Sequence, residues 1–171
     1  MTEMPDVRES STTMLWRHQD AFVAQHGRIV GVRWTGVPRR EQLAALARAH
    51  RLAREHGDVL LINDVRRLDG PTSVDVGIRA EMVELIETCH AQTRAVAHVI
   101  EIRGLVGDVV RAFLDMLERI GGRTHTSVAA FADLDAAARW LNAKGGDACD
   151  AERIRSIWRS MERVDVVSMA A

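Results

Sequence analysis

The sequence predicts a single α/β domain with a mixed, mostly parallel sheet of four to five strands. An N-terminal β-hairpin, about four helices and an appended C-terminal amphipathic helix complete the predicted fold. Two observations lead to this fold class. Short apolar runs of strand length alternate with longer segments whose apolar residues recur at helical spacing. In addition, 47% of the 171 residues are apolar, which is enough for one buried core.

The chain divides into three parts by composition. Residues 1–12 are polar and precede the first apolar run, so we expect them to be disordered. Residues 13–143 carry the alternating pattern and form the predicted domain. Residues 144–171 begin with Gly145-Gly146, which predicts a linker before the appended helix and tail.

The first element is a predicted β-hairpin. Met14–Trp16 and Ala21–Ala24 supply short extended segments, and Ile29–Trp34 reads as a strand. Gly27 lies between the last two, so residues 25–28 are expected to form the hairpin tip.

The first helix is expected to open at Pro38, which suits the first helical turn because a proline lacks only an N–H that is unsatisfied there anyway. Leu43, Leu46 and His50 recur at helical spacing, and Gly57 is a suitable terminator.

A buried central strand is predicted at Val59–Ile62, ending at Asn63-Asp64. A turn at Asp69-Gly70-Pro71 follows. Either Thr72 or Ser73 can then cap the second helix. The apolar residues of that helix are expected to face inward and its glutamates to face solvent: Val74, Ile78, Met82, Leu85, Ile86 and Cys89, against Glu81, Glu84 and Glu87.

The second half continues the alternation. Strands are predicted at Val96–Ile100 and Ser127–Phe131, with a helix between them that starts near Asp108 and stops at Gly121. A further helix starts at Asp133 or Asp135 and runs through Leu141.

The appended helix carries a regular apolar stripe: Ile154, Ile157, Trp158, Met161 and Val164. Three roles fit this stripe. The helix could dock on its own domain, contact a partner or second copy, or lie on a membrane surface, although its arginines are balanced by glutamates.

Bulk charge and hydropathy exclude several classes of protein. The formal net charge is −1, which gives no pull toward nucleic acid. No window approaches 18 apolar residues, so we expect no stable membrane insertion and a cytoplasmic location. The two cysteines lack CxxC spacing, which fits a reducing compartment. Lys144 is the sole lysine beside 22 arginines, a bias typical of GC-rich bacterial genomes.

No catalytic, metal or cofactor motif is visible. The seven histidines form no HxH or HExxH pair, so no metal site is expected. The chain has no P-loop, no G-x-G-x-x-G and no G-x-S-x-G elbow. We therefore predict no cofactor and no enzymatic activity.

Three segments together resemble the STAS domain, the family of anti-sigma factor antagonists and their SpoIIAA-like relatives. They are Val32–Gly36 before the first helix, Leu60–Arg66 in the central strand, and Phe131–Leu141, which is similar to an F-x-D-x-x-x-A-x-x-W-L ending. The resemblance covers roughly residues 21–141. It implies a STAS/SpoIIAA-like fold and a non-enzymatic regulatory role through protein–protein binding.

The resemblance also places the working surface. Phosphorylatable STAS proteins carry an Asp-Ser-Ser-Gly motif at the start of the helix after the central strand, whereas this chain has Asp69–Val74 without that motif. Thr72 and Ser73 are candidates for phosphorylation, since a phosphate there would meet free helix N–H groups, although capping alone explains a hydroxyl. The predicted partner-binding residues are Asp64, Arg66, Asp69, Gly70, Thr72 and Ser73.

The predicted partner is a protein, and a homodimer is also possible. An alternative function is that of a carrier or sensor for a small apolar ligand or lipid, as the lipid-binding-like relatives imply. That alternative requires a cavity beneath the helices.

Overall fold

A computed structural model describes residues 12–67, 76–100, 126–146 and 154–159. Six strands form one sheet in sequential order: β1 (Thr13–His18), β2 (Ala21–His26), β3 (Ile29–Thr35), β4 (Val59–Arg67), β5 (Thr93–Ile100) and β6 (Ser127–Phe131). Four helices are described: α1 (Arg40–Arg54), α2 (Val76–His90), α3 (Leu134–Gly145) and α4 (residues 154–159). The predicted mixed α/β architecture is confirmed.

The sheet is antiparallel at its N-terminal end and parallel beyond. β1, β2 and β3 pair antiparallel, whereas β3, β4, β5 and β6 pair parallel. The predicted hairpin is therefore a three-stranded meander, because β1 is a full strand, and the sheet has six strands instead of four to five. Gly27 has φ 55° in the β2–β3 turn, at the predicted hairpin tip.

Both faces of the sheet are covered, which explains why its inner strands are apolar at nearly every position. One face packs α1 against Val23, Val30, Val32 and Val59. The opposite face packs α3 and α4 against Phe22, Ile29, Leu60 and Ile62. The alternation of side chains along each strand thus divides the core into two layers.

The central strand is longer than predicted. β4 continues from Val59 to Arg67, so Asn63 and Asp64 lie inside a strand and do not end it. Two consecutive polar residues after an apolar run predict the end of a strand. In the structure each of them has a hydrogen-bonding side chain on a neighbouring strand, which removes the cost of placing a polar group in the sheet.

Helix α3 begins where the sequence predicts. Of the two candidate aspartates, Asp133 is the N-cap, and its carboxylate accepts a hydrogen bond of 2.7 Å from the N–H of Ala136. Trp140 packs on Phe131, with the ring centroids 5.5 Å apart. These contacts fix α3 against the end of β6.

Several predictions fall on residues outside the described ranges. They concern residues 1–11, the turn and cap at residues 69–75, and the helix between Asp108 and Gly121. In the described part of the chain, every helix is too short or too polar to cross a membrane.

Candidate functional site at the carboxyl end of the sheet

Of the predicted partner-binding residues, Asp64 and Arg66 lie in the second half of β4. Arg66 is the second-to-last residue of β4 and lies between the last two positions that pair with β3, where the register shifts. Asp69, Gly70, Thr72 and Ser73 fall outside the described residues. Ligand sites of parallel sheets form at the carboxyl ends of strands, and Arg66 lies at that end of β4.

Asp64, on β4, is fully buried. Its Oδ2 atom forms an ion pair of 2.8 Å with Nε of Arg33 on the adjacent strand. It also accepts a hydrogen bond of 3.0 Å from the indole Nε1–H of Trp158. With Arg33 and Trp158 in place this carboxylate is not exposed, so the prediction that Asp64 lies on an exposed binding surface with the residues after it does not fit this structure.

Arg33 is held by contacts on several sides. Its guanidinium lies 5.0 Å from the centroid of the Phe22 ring, and its backbone carbonyl accepts a 3.0 Å hydrogen bond from the Gln42 amide. The planar guanidinium suits stacking on an aromatic ring while it pairs with a carboxylate. Arg33 therefore joins β3 to β4 through its side chain and to α1 through its backbone carbonyl.

Trp158 brings the C-terminal helix α4 onto this pair. Its indole lies over Gly31, where an added Cβ would sit 2.6 Å from Cη2. It also meets the Phe22 ring edge-on, with centroids 5.5 Å apart. Ile154 and Ile157 are fully buried beside it. The apolar side of residues 154–159 therefore docks on its own domain, which is one of the three roles that fit the apolar stripe.

Two histidines on the α1-facing side of the sheet are held neutral. Burial lowers the pKa of His98 to about 4, and its Nδ1 lies 3.4 Å from the Asn63 amide nitrogen. Burial also lowers the pKa of His50, and the nearby Arg54 charge lowers it further. The Thr93 hydroxyl donates to the Cys89 carbonyl, so it accepts from His50 Nε2, 2.9 Å away.

We expect these histidines to make folding stability depend on pH. Because the pKa is lower in the folded state, the unfolded chain binds protons at a higher pH than the folded chain does. The contribution of these histidines to the free energy of unfolding is therefore fully present above about pH 7, and it is lost as the pH falls through 6.5 toward 4. His98 alone contributes up to about 3 kcal/mol of this loss. Urea unfolding at several pH values measures it.

The matched variants for this experiment are His98→Gln and His56→Gln. His56 is exposed, so His56→Gln is the matched control for the loss of one imidazole. His98→Gln should flatten the curve between pH 6.5 and 4.5. Identical slopes for the wild type and His98→Gln would contradict the burial of a neutral imidazole at this position.

An open cleft borders the candidate site. It has a volume of about 490 Å³ and lies between the β1–β2 turn, the β3–α1 connection and the start of α2. Its lining includes Trp16, His18, Arg39, Arg40 and Ile78. Arg40 also forms a 3.0 Å ion pair with Glu81 that ties α1 to α2. Exposed arginines and a wide opening suit contact with a polar surface better than enclosure of a lipid chain.

Helix α2 leaves apolar side chains in solvent. Val76, Val83 and Ile86 are 79%, 50% and 58% exposed, and together they form what we call the α2 ridge. Ile86 was predicted to face inward, and this prediction is wrong. The apolar residues of α2 cover about half of its circumference, whereas only the side that carries Leu85 packs on the core. The remaining apolar stripe therefore points outward.

Some of these features have no direct signal in the sequence. Asp64 contacts both Arg33 and Trp158, although the three residues are far apart in the chain. None of the three residue types, taken alone, indicates these contacts. The half-circumference apolar pattern of α2 was visible, and it could have indicated a second, outward-facing apolar side.

Comparison with known proteins supports the fold. No family model matches the sequence, and no curated protein matches it significantly. The structure is similar to the crystal structure of an uncharacterised DUF3478-family protein from Shewanella loihica PV-4, described as having a SpoIIAA-like fold. The TM-score is 0.52 at 15% identity, over 82% of this chain and 98% of that chain. The chain thus has the SpoIIAA-like fold that its sequence motifs predict.

Proposed function

We propose that this chain, with its SpoIIAA-like fold, is a non-enzymatic regulatory module that binds a protein partner. The binding surface consists of the α2 ridge and the segment 66–73 that leads into α2. The observation that carries the proposal is the exposure of Val83 and Ile86 on α2, the helix that follows segment 66–73 in the sequence. Exposed apolar patches on soluble domains mark interaction sites.

The charges beside the ridge define the partner. Glu84 and Glu87 are exposed on α2 next to the ridge. The matching surface is an apolar groove with arginine or lysine at its rim, since complementary charges steer association and fix its register. A symmetric pairing of two α2 helices would instead bring like charges together. The ridge is therefore assigned to a different protein and not to a second copy.

Thr72 and Ser73 remain the candidate phosphorylation sites within this surface. They stand four and three residues before Val76 in the sequence, so a phosphate on either would add negative charge on the N-terminal side of α2.

The alternative, a carrier of a small apolar ligand, has less support. It requires an enclosed apolar cavity beneath the helices. Two clefts lined by described residues are open and include charged side chains, such as Arg39 in one and Lys144 in the other. Both layers of the core are filled by packed side chains in the described part of the chain.

A photo-crosslinking experiment tests the proposed surface. A photoreactive amino acid is placed at Val83 in the full chain, and a matched control carries it at Ala44, an exposed position on α1. After crosslinking in the source cells, mass spectrometry identifies the attached peptide. We expect one foreign protein attached at position 83 and not at 44, through an apolar segment flanked by basic residues.

The purified partner then gives a quantitative result. Replacing Val83 and Ile86 together by glutamate should weaken binding by more than about tenfold, because both side chains lie in the contact. Arg48→Glu, on the exposed side of α1, should change binding by less than about twofold. Crosslinks only to residues 101–125 of the same chain, or only to a second copy, would refute the proposal.

A further inference from the structure

The C-terminal helix α4 occupies a groove on the sheet face opposite α1. The groove is formed by Phe22 on β2, Gly31 and Arg33 on β3, and Asp64 on β4, and we call it the α4 groove. Three residues on one side of α4 lie in this groove: Ile154, Ile157 and Trp158. All three are essentially inaccessible to solvent. The arrangement is that of an amphipathic helix lying in a receptor groove.

The indole of Trp158 has a site shaped for it. Gly31 leaves room that any larger side chain would fill, since an added Cβ would lie 2.6 Å from the indole ring. The Phe22 ring meets the indole edge-on, with the two ring centroids 5.5 Å apart. The Asp64 carboxylate accepts the indole N–H at 3.0 Å. A buried tryptophan in a fitted pocket with one polar contact is the usual anatomy of an interface hot spot.

The resident helix is attached to the groove through its buried side. Ile154, Ile157 and Trp158 of this helix belong to the same buried cluster as Phe22 of the groove and Ile62 of β4. Its outward side is held by an ion pair between Arg155 and Asp135 that is largely exposed to solvent. Such pairs contribute little. The three buried side chains supply the apolar part of the attachment.

We propose that the α4 groove is a recognition site for amphipathic helices and that the chain's own α4 occupies it in cis. The external ligand is a helix that presents two aliphatic residues and a tryptophan in the pattern Ile-x-x-Ile-Trp. Binding of such a helix requires release of α4, which makes α4 an autoinhibitory segment. This site lies on the opposite face of the sheet from α1 and does not depend on the surface proposed for α2.

A peptide of residues 150–164, labelled with fluorescein, tests the proposal against full-length protein by fluorescence anisotropy. In the wild type, the tethered α4 competes at an effective concentration on the order of millimolar. The Trp158→Ala chain should therefore bind the peptide at least about tenfold more tightly than the wild type does. A peptide that carries Trp158→Ala should bind at least about tenfold more weakly.

The groove itself is tested by adding Gly31→Ala to the Trp158→Ala chain. The new methyl group occupies the indole site, so the peptide should lose its affinity while circular dichroism shows an intact fold. Equal binding by the wild type and the Trp158→Ala chain, or unchanged binding after Gly31→Ala, would overturn the proposal.

A second measurement uses the wild-type chain, in case Trp158→Ala does not fold. The protein is labelled with 5-fluorotryptophan, and the Trp158 signal is assigned from the Trp158→Phe variant. Millimolar unlabelled peptide should convert the buried ¹⁹F signal into a solvent-exposed one, and the peptide with Trp158→Ala should not. A Trp158 signal that does not respond to the peptide would show that α4 is a permanent part of the core and refute autoinhibition.

Discussion

Replacing Asp64 by alanine is expected to lower the free energy of unfolding by about 3–5 kcal/mol. The reason is that the Arg33 guanidinium stays buried after its carboxylate counter-charge is removed. The same change deprives the Trp158 indole N–H of its acceptor. Urea unfolding followed by far-ultraviolet circular dichroism gives the difference directly.

Two companion variants separate the buried pair from ion pairing in general. Asp135→Ala breaks the exposed pair with Arg155, so it should cost less than about 1 kcal/mol. The double variant Arg33→Met, Asp64→Leu replaces the buried charges by apolar groups and should recover most of the stability that Asp64→Ala loses. Equal losses for Asp64→Ala and Asp135→Ala would mean that the Arg33–Asp64 pair is solvated.

The order and type of the elements could be predicted because they depend on local patterns. Apolar runs of strand length, glycine at turns and an aspartate cap are each readable within about ten residues, and β3, α1 and α3 follow from them. The resemblance to STAS domains added the fold, because its three segments occur in the correct order along the chain.

The prediction was incomplete where distant residues decide the structure. Asp64 was interpreted as a loop residue because a carboxylate rarely lies inside a buried strand. The partners that allow it there, Arg33 and Trp158, stand 31 and 94 residues away, and no local pattern joins them. The outward position of Ile86 was missed for a related reason, since sequence periodicity does not say which half of a wide apolar face meets the sheet.

The same dependence on a distant partner makes Gly31→Ala a strong test of where α4 docks. The added Cβ would lie 2.6 Å from Cη2 and 2.8 Å from Cζ3 of Trp158, so the indole must move. We expect a loss of about 1–3 kcal/mol in unfolding free energy, as for other overpacked cores.

A Trp158→Leu background removes the ring that causes this conflict. There the effect of Gly31→Ala should reverse to a gain of about 0.5 kcal/mol, because alanine restricts the unfolded chain more than glycine does and suits a strand better. Such a change of sign is possible only if the two side chains compete for one space, so a double-mutant cycle in urea measures the contact itself. Equal effects of Gly31→Ala in both backgrounds would place Trp158 away from β3. Coupling of this size would show that position 31 is glycine because a tryptophan 127 residues later needs the room.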